Sequence, residues 1–162
     1  MQNITIRKAT KSDIENLIKL RIDFITDNKT HSLTLEEENQ TIEQLREYYP
    51  KHLDYGDFIA VLAEIDGKII ATAFLIIFEK PVNPRTFITG KTALIINVLT
   101  YPEYRRQGIA MKLLELLIAE AKTANASYIE LTATSMGKPV YEKLGFKENL
   151  RGEHTEMKLN LF

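Results

Sequence analysis

Arg105-Arg106-Gln107-Gly108-Ile109-Ala110 sets two cations and one glycine directly ahead of an apolar helical pattern that runs from Ile109 to about Thr123. Those residue types in that order suit an anion. The first amides of a helix have no acceptor inside it, and the helix dipole adds partial positive charge at the same end. Gly108 carries no side chain to hold a ligand away from the backbone, and Arg105 and Arg106 bring full charges for charge-assisted hydrogen bonds. The backbone amides of Arg106, Gln107, Gly108, Ile109, Ala110 and Met111 form the expected cradle for a phosphate-bearing ligand. Two common phosphate-loop patterns are absent. The P-loop spacing of glycines, lysine and hydroxyl does not occur, and Gly108 stands alone where a dinucleotide fingerprint needs three glycines.

A basic turn holds a ligand only if rigid elements present it. Ala93 to Thr100 is apolar and β-branched, which predicts a buried strand ended by Pro102. The helix after the turn carries Ile109, Leu113, Leu114, Leu116, Leu117 and Ile118 opposite Lys112, Glu115 and Lys122, so one broad face packs on a sheet. Tyr128 to Ala133 reads as the next strand, giving a strand–helix–strand unit with a parallel crossover. Upstream, Ile4 to Arg7 alternates as a strand, and Thr10 to Asp13 has the form of a capping box. Ile14, Leu17, Ile18 and Ile25 then share a helical face. Arg21 lies on that stripe, either as a snorkelling or ion-paired arginine or as a residue directed into a cleft. Asp27 to Ser32 is a polar connection. Thr34 to Glu37 caps a second helix with Leu35, Ile42, Leu45 and Tyr49 on its stripe, and Pro50 is expected to end or kink it. Phe58 to Ile65 and Lys68 to Phe78 are strands joined at Asp66-Gly67, and Glu79 to Lys91 is a loop or irregular hairpin. Pro139 opens a short helix carrying Val140, Tyr141 and Leu144, which Gly145 ends. Phe146 to Glu148 and the alternating Thr155 to Leu161 predict closing strands.

Composition narrows the function. The chain has 162 residues, 44% hydrophobic and 27% charged, with a net charge of −1, which suits a single domain over 1–162 and argues against a general nucleic-acid binder. It has no cysteine, and His31, His52 and His154 are scattered, so neither a disulfide nor a metal site is expected. No signal-like apolar run or membrane span is evident, and a cytoplasmic protein is the expectation.

The turn Arg105-Arg106-Gln107-Gly108-Ile109-Ala110 matches R/Q-x-x-G-x-G/A, and Tyr141-Glu142-Lys143-Leu144-Gly145-Phe146 matches a Y-E-K-L-G-F block at a suitable interval. In both blocks the chain resembles the GNAT superfamily of N-acetyltransferases, over about Ile4 to Phe162 and most clearly from Ala93 to Phe146. The resemblance implies an α/β (α+β) fold. Its twisted sheet would be mixed and mainly antiparallel, of about six or seven strands, with helices on both faces and a central pair of parallel strands that splay apart. It also implies acetyl-CoA as cosubstrate, no metal, and transfer of the acetyl group to a primary amine by direct attack in a ternary complex. A small metabolite is the preferred acceptor, and a homodimer is left open. A peptide or protein amine, or a non-catalytic acyl-CoA sensor, are the alternatives.

Roles follow from the same resemblance. Arg105 through Met111 would bind the phosphates. Val98, Leu99 and Thr100, at the splayed end of the central strand, would pair through their main chain with the pantetheine arm and the thioester oxygen. Tyr141 would protonate the leaving sulfur and touch the cofactor, since a phenol of pKa near ~10 keeps its proton at neutral pH. The family often has an asparagine about two helical turns before that tyrosine. Here Thr134 and Ser135 occupy the place, so either hydroxyl would make the contact. For a general base, Glu79 is the first candidate, with Asn97 (ordering a water), Glu103 and Asp57 behind it and an undedicated water chain as the other route.

Overall fold

The structure is a computed structural model that describes residues 3–27, 32–150, 152 and 155–162. His31, His154 and most of the polar connection after Asp27 lie outside the described residues. The chain divides into two compact units, Met1–Thr132 and Ala133–Phe162.

The first unit is built on a five-stranded sheet in the order β1-β2-β3-β4-β5, comprising β1 (Thr5–Lys8), β2 (Phe58–Ile65), β3 (Lys68–Glu79), β4 (Lys91–Thr100) and β5 (Ile129–Glu130). The first four strands pair antiparallel, and β5 pairs parallel to β4. This is the expected mixed, mainly antiparallel class. The β2–β3 hairpin turns on Asp66 and Gly67, both at positive φ (50° and 78°), the geometry that a two-residue Asp-Gly turn requires.

Helices α1 (Ile14–Asp27) and α2 (Leu35–Tyr55) cover one face. Leu17, Ile18 and Leu20 of α1 and Tyr49 of α2 pack with Phe58, Ala60 and Leu62 of β2, Phe74 of β3 and Leu99 of β4 in one buried cluster. Helix α3 (Ile109–Thr123) buries Ile109, Leu113, Leu114, Leu117 and Ala121 and packs against β2, β3 and β4. Both predicted capping boxes form. Glu37 donates its amide to the Thr34 hydroxyl at 3.2 Å while its carboxylate accepts the Thr34 amide at 2.8 Å, and the Asp13 carboxylate accepts the Thr10 amide at 2.8 Å.

Three elements depart from expectation. Pro50 lies inside α2 without ending it. A mid-helix proline costs about 3 kcal/mol, and the aromatic packing of Tyr48 and Tyr49 against Phe58, and of Tyr49 against Phe74, offsets that cost. The strand expected over Tyr128 to Ala133 is only the two residues of β5. The closing strands over Phe146 to Glu148 and Thr155 to Leu161 do not form, so the sheet has five strands rather than six or seven among the described residues. Alternation makes a segment competent for pairing but supplies no edge to pair with, and Met157, Leu159 and Leu161 are exposed.

The second unit contains α4 (Lys138–Lys143), with Pro139 in its first turn. Gly145 follows at φ 92°, and the Phe146 amide returns to the Tyr141 carbonyl at 3.1 Å, a left-handed helix stop of the kind the glycine predicts.

Candidate active site

β4 is broken in its middle. Thr72 of β3 faces Leu99 while Phe74 faces Ile96, so Asn97 and Val98 share the one position opposite Ala73. Asn97 adopts φ 55°, a left-handed conformation that asparagine reaches more readily than most residues, and the pair forms a β-bulge. The extra residue resets the alternation. Ile96 and Leu99, three apart, both join the cluster under α1 and α2. Asn97 is 1% exposed and also turns to that side. Its amide nitrogen donates to the Leu20 carbonyl at 3.4 Å, and its oxygen accepts from Arg21 Nη1 at 3.2 Å.

The other edge of β4 opens at the same place. Pairing with β5 covers only Ala93–Ile129 and Leu94–Glu130. From Ile95 to Thr100 that edge has no strand partner among the described residues, so main-chain groups of Val98, Leu99 and Thr100 lie beyond the parallel ladder. This is the local form that a splay takes.

After β4 a short turn, Pro102–Tyr104, leads into the basic stretch. Arg105 turns back. Its Nε donates to the Thr100 carbonyl at 2.9 Å and its Nη2 meets the Asp27 carboxylate at 3.2 Å, so it staples the turn to the ends of β4 and α1. Arg106 (φ 62°) and Gly108 (φ 74°) are both left-handed. Gly108 occupies the N-cap of α3, and a Cβ built there would enter open space. Among the described residues no acceptor takes the amides from Arg106 to Met111. The first helical bond runs from Lys112 to the Gly108 carbonyl at 3.3 Å. The Arg106 side chain is exposed and has no carboxylate partner among the described residues. Open amides, an unpaired cation, no acidic residue in the first turn of α3 and an unfilled Cβ position make this turn fit a multiply charged anion.

In the second unit, Tyr141 is 9% exposed, with its ring edge-on to Phe146 at 6.0 Å. Burial pushes its phenol pKa up, so it stays protonated through neutral pH. The Thr134 hydroxyl oxygen accepts the Gly137 amide at 3.2 Å in the turn before α4, and Ser135 beside it is exposed.

The base candidates are not brought together with the bulge. Glu79 ends β3 opposite Lys91, at the start of β4, whereas the bulge lies opposite Ala73. Six residues of strand separate the two, about 20 Å at ~3.3 Å per residue. The Asp57 carboxylate accepts from His52 Nδ1 at 2.9 Å near that same remote end, next to Phe58, which faces Ile76. Glu103 is exposed, 3.9 Å from Lys68. Asn97 has both ends of its amide engaged, with Arg21 and with the Leu20 carbonyl. What sequence reading did not supply was the link from Asn97 to Arg21. Its one signal was a polar side chain inside the apolar run Leu94-Ile95-Ile96-Asn97-Val98-Leu99.

The description "acetyltransferase (GNAT) domain" matches residues 5–148. The chain belongs to this family. Among solved structures, this GNAT domain is similar to a predicted acetyltransferase from Clostridium acetobutylicum, solved with acetyl-CoA. The two are 30% identical, with 98% of this chain and 97% of that one covered at a TM-score of 0.84. A GCN5-related N-acetyltransferase from Ralstonia eutropha shares its fold at 22% identity, covering 98% and 99% of the two chains, with a TM-score of 0.80. Glucosamine-6-phosphate N-acetyltransferase from Arabidopsis thaliana shares it at 24% identity, 99% and 100% coverage and a TM-score of 0.66. No curated protein matches the GNAT chain significantly. Among its described residues no helix is long and apolar enough to cross a membrane.

Proposed function

We propose that this GNAT acetyltransferase moves an acetyl group from acetyl-CoA to the primary amine of a small metabolite. The observation that carries the reading is the turn after β4, where among the described residues six consecutive amides have no acceptor, Arg106 has no carboxylate partner, and the space over Gly108 is unfilled. Acetyl-CoA, when bound, supplies an acetyl group activated as a thioester. The amides from Arg106 to Met111 hold its phosphates, with Arg106 adding charge at the rim and Arg105 keeping the turn in shape. Main-chain groups of Val98, Leu99 and Thr100 bind the pantetheine arm and polarise the carbonyl oxygen. A backbone amide aimed at developing negative charge is worth roughly 3 kcal/mol of barrier. Thr134 or Ser135 adds a hydroxyl contact. Tyr141 gives its proton to the sulfur as the C–S bond breaks and the amine nitrogen takes the carbon, and the amine's own proton leaves to water. The chain has no cysteine to carry the acyl group, which supports direct attack over an acyl-cysteine route.

The test is thiol release from acetyl-CoA with a broad panel of amines, run beside calorimetry of CoA binding. Acetylation of small amines with CoA bound is the expected result. CoA binding without thiol release from any amine would make the protein a sensor, and acetylation confined to peptides would reassign the acceptor.

A further inference from the structure

Arg21 is a half-buried arginine without a counter-ion among the described residues. Arg7, Arg46 and Arg105 each pair with a carboxylate. Arg21 pairs with none among the described residues, and its described hydrogen bond goes to the neutral oxygen of Asn97 at 3.2 Å. No acidic residue lies three or four positions to either side of it on α1, where Leu17, Ile18, Phe24 and Ile25 stand. Asp23, the nearest carboxylate on the helix, is taken by the Tyr101 hydroxyl at 2.5 Å and by Lys19. The guanidinium is nonetheless fixed in place. Asn97 is buried at the bulge and anchored to the Leu20 carbonyl, the Phe24 ring lies 5.9 Å from the guanidinium carbon, and the positive charge acts on the buried Tyr49 phenol, opposing the upward push of burial.

A guanidinium has five N–H donors in a planar fork. Here a partly desolvated charge is held by one hydrogen bond among the described residues, so an anion that completes the fork gains from it. The residue that holds it, Asn97, is the neighbour in sequence of Val98, where the proposed acetyl-binding edge begins. We infer that Arg21 binds the anionic group of the acceptor, and that the substrate is a primary amine that also carries a carboxylate or a phosphate. The inference rests on the acetyltransferase reading above and adds the acceptor's chemical class to it.

The experiment measures kcat/KM from thiol release for two matched pairs of amines. One pair is an α-amino acid and its carboxamide, and the other is an amino-sugar phosphate and the unphosphorylated amino sugar. Wild type is expected to favour the anionic member of one pair by at least about tenfold, through KM, as loss of a charge-assisted fork predicts. Which pair responds tells carboxylate from phosphate. Arg21→Met, which keeps the apolar stem, should level that preference, and Arg21→Lys should keep part of it. Asn97→Asp, which supplies an internal counter-ion, should level it as well. CoA affinity by calorimetry should hold in all three variants. A preference that survives Arg21→Met unchanged, or no acetylation of either anionic amine by a wild type that binds CoA, overturns the inference and leaves the acetyltransferase reading standing. Failure of wild type to bind CoA overturns both, and is seen separately.

Discussion

Replacing Gly108 by alanine separates backbone geometry from ligand binding. At φ 74° an L side chain costs roughly 1–2 kcal/mol, so the variant should lose about that much stability. Within the protein the new Cβ meets no atom within 4 Å, so no packing clash is added. Any further effect must come from what approaches the turn from outside. If a phosphate sits against these amides, the methyl group displaces it from at least one charge-assisted hydrogen bond worth roughly 1.5–3 kcal/mol, and CoA affinity should fall about ten- to hundredfold. Gly67 supplies the control. It has φ 78°, it also has nothing within 4 Å, and it lies in the β2–β3 hairpin at the end of β2. Gly67→Ala should lose similar stability and no CoA affinity. Denaturant midpoints and calorimetry on both variants give the four numbers. If Gly108→Ala binds CoA as tightly as Gly67→Ala, the amides of this turn do not hold the phosphates.

Tyr141→Phe keeps the ring against Phe146 and removes the proton, so single-turnover acetyl transfer should slow by ~10²–10⁴-fold with CoA affinity unchanged. An unchanged single-turnover rate would make Tyr141 a packing residue. Glu79→Gln should leave the single-turnover rate within a factor of about two, because Glu79 pairs in register with Lys91 at the far end of β4 from the bulge. A loss above about tenfold would show that the 80–90 loop carries it to the reaction. Asp13→Asn removes a nearly buried carboxylate that accepts two bonds at 2.8 Å from Arg7, whose guanidinium is the main cause holding the Asp13 pKa down at about 2. A pKa depressed in the folded state stabilises at pH above the unfolded value of 3.8 and ceases to do so as pH falls through the folded one. Wild type should therefore exceed Asp13→Asn by about 2 kcal/mol near neutrality. Urea midpoints should show that gap closing between about pH 4 and pH 2, and a gap that stays constant with pH would refute the assignment.

Local signals were legible wherever one short segment settles its own geometry. The Asp66-Gly67 hairpin, the Thr34–Glu37 and Thr10–Asp13 caps and the Gly145 stop each satisfy backbone groups within a few residues, so residue type is enough to announce them. The strand–turn–helix from Ala93 to Thr123 belongs with them. Its anion-binding character comes from helix-end amides and Gly108, which need no distant partner. Arg106 is exposed and meets no carboxylate among the described residues. The sequence could not tell Arg106 from Arg105, since only folding brings Asp27 and the Thr100 carbonyl to Arg105 and consumes its donors.

The tertiary structure decided whatever depends on register and on which edge finds a partner. Thr155 to Leu161 alternates as a strand should, yet it forms no strand in the structure, because a pattern sets a segment's faces and not its neighbour. In the sequence Glu79 was singled out because a loop leaves there, and antiparallel pairing with Lys91 puts it at the end of β4 remote from the bulge. The bulge at Asn97 is the clearest case. One extra residue opposite Ala73 turns Asn97 toward α1 and sets it against Arg21, 76 positions away in the chain. The sequence from Leu94 to Leu99 determined that a buried strand passes this point. Only the packing of α1 on the broken ladder decided that Asn97, the one polar residue between Leu94 and Leu99, would hold a guanidinium, because that contact joins two elements whose local signals are independent of each other.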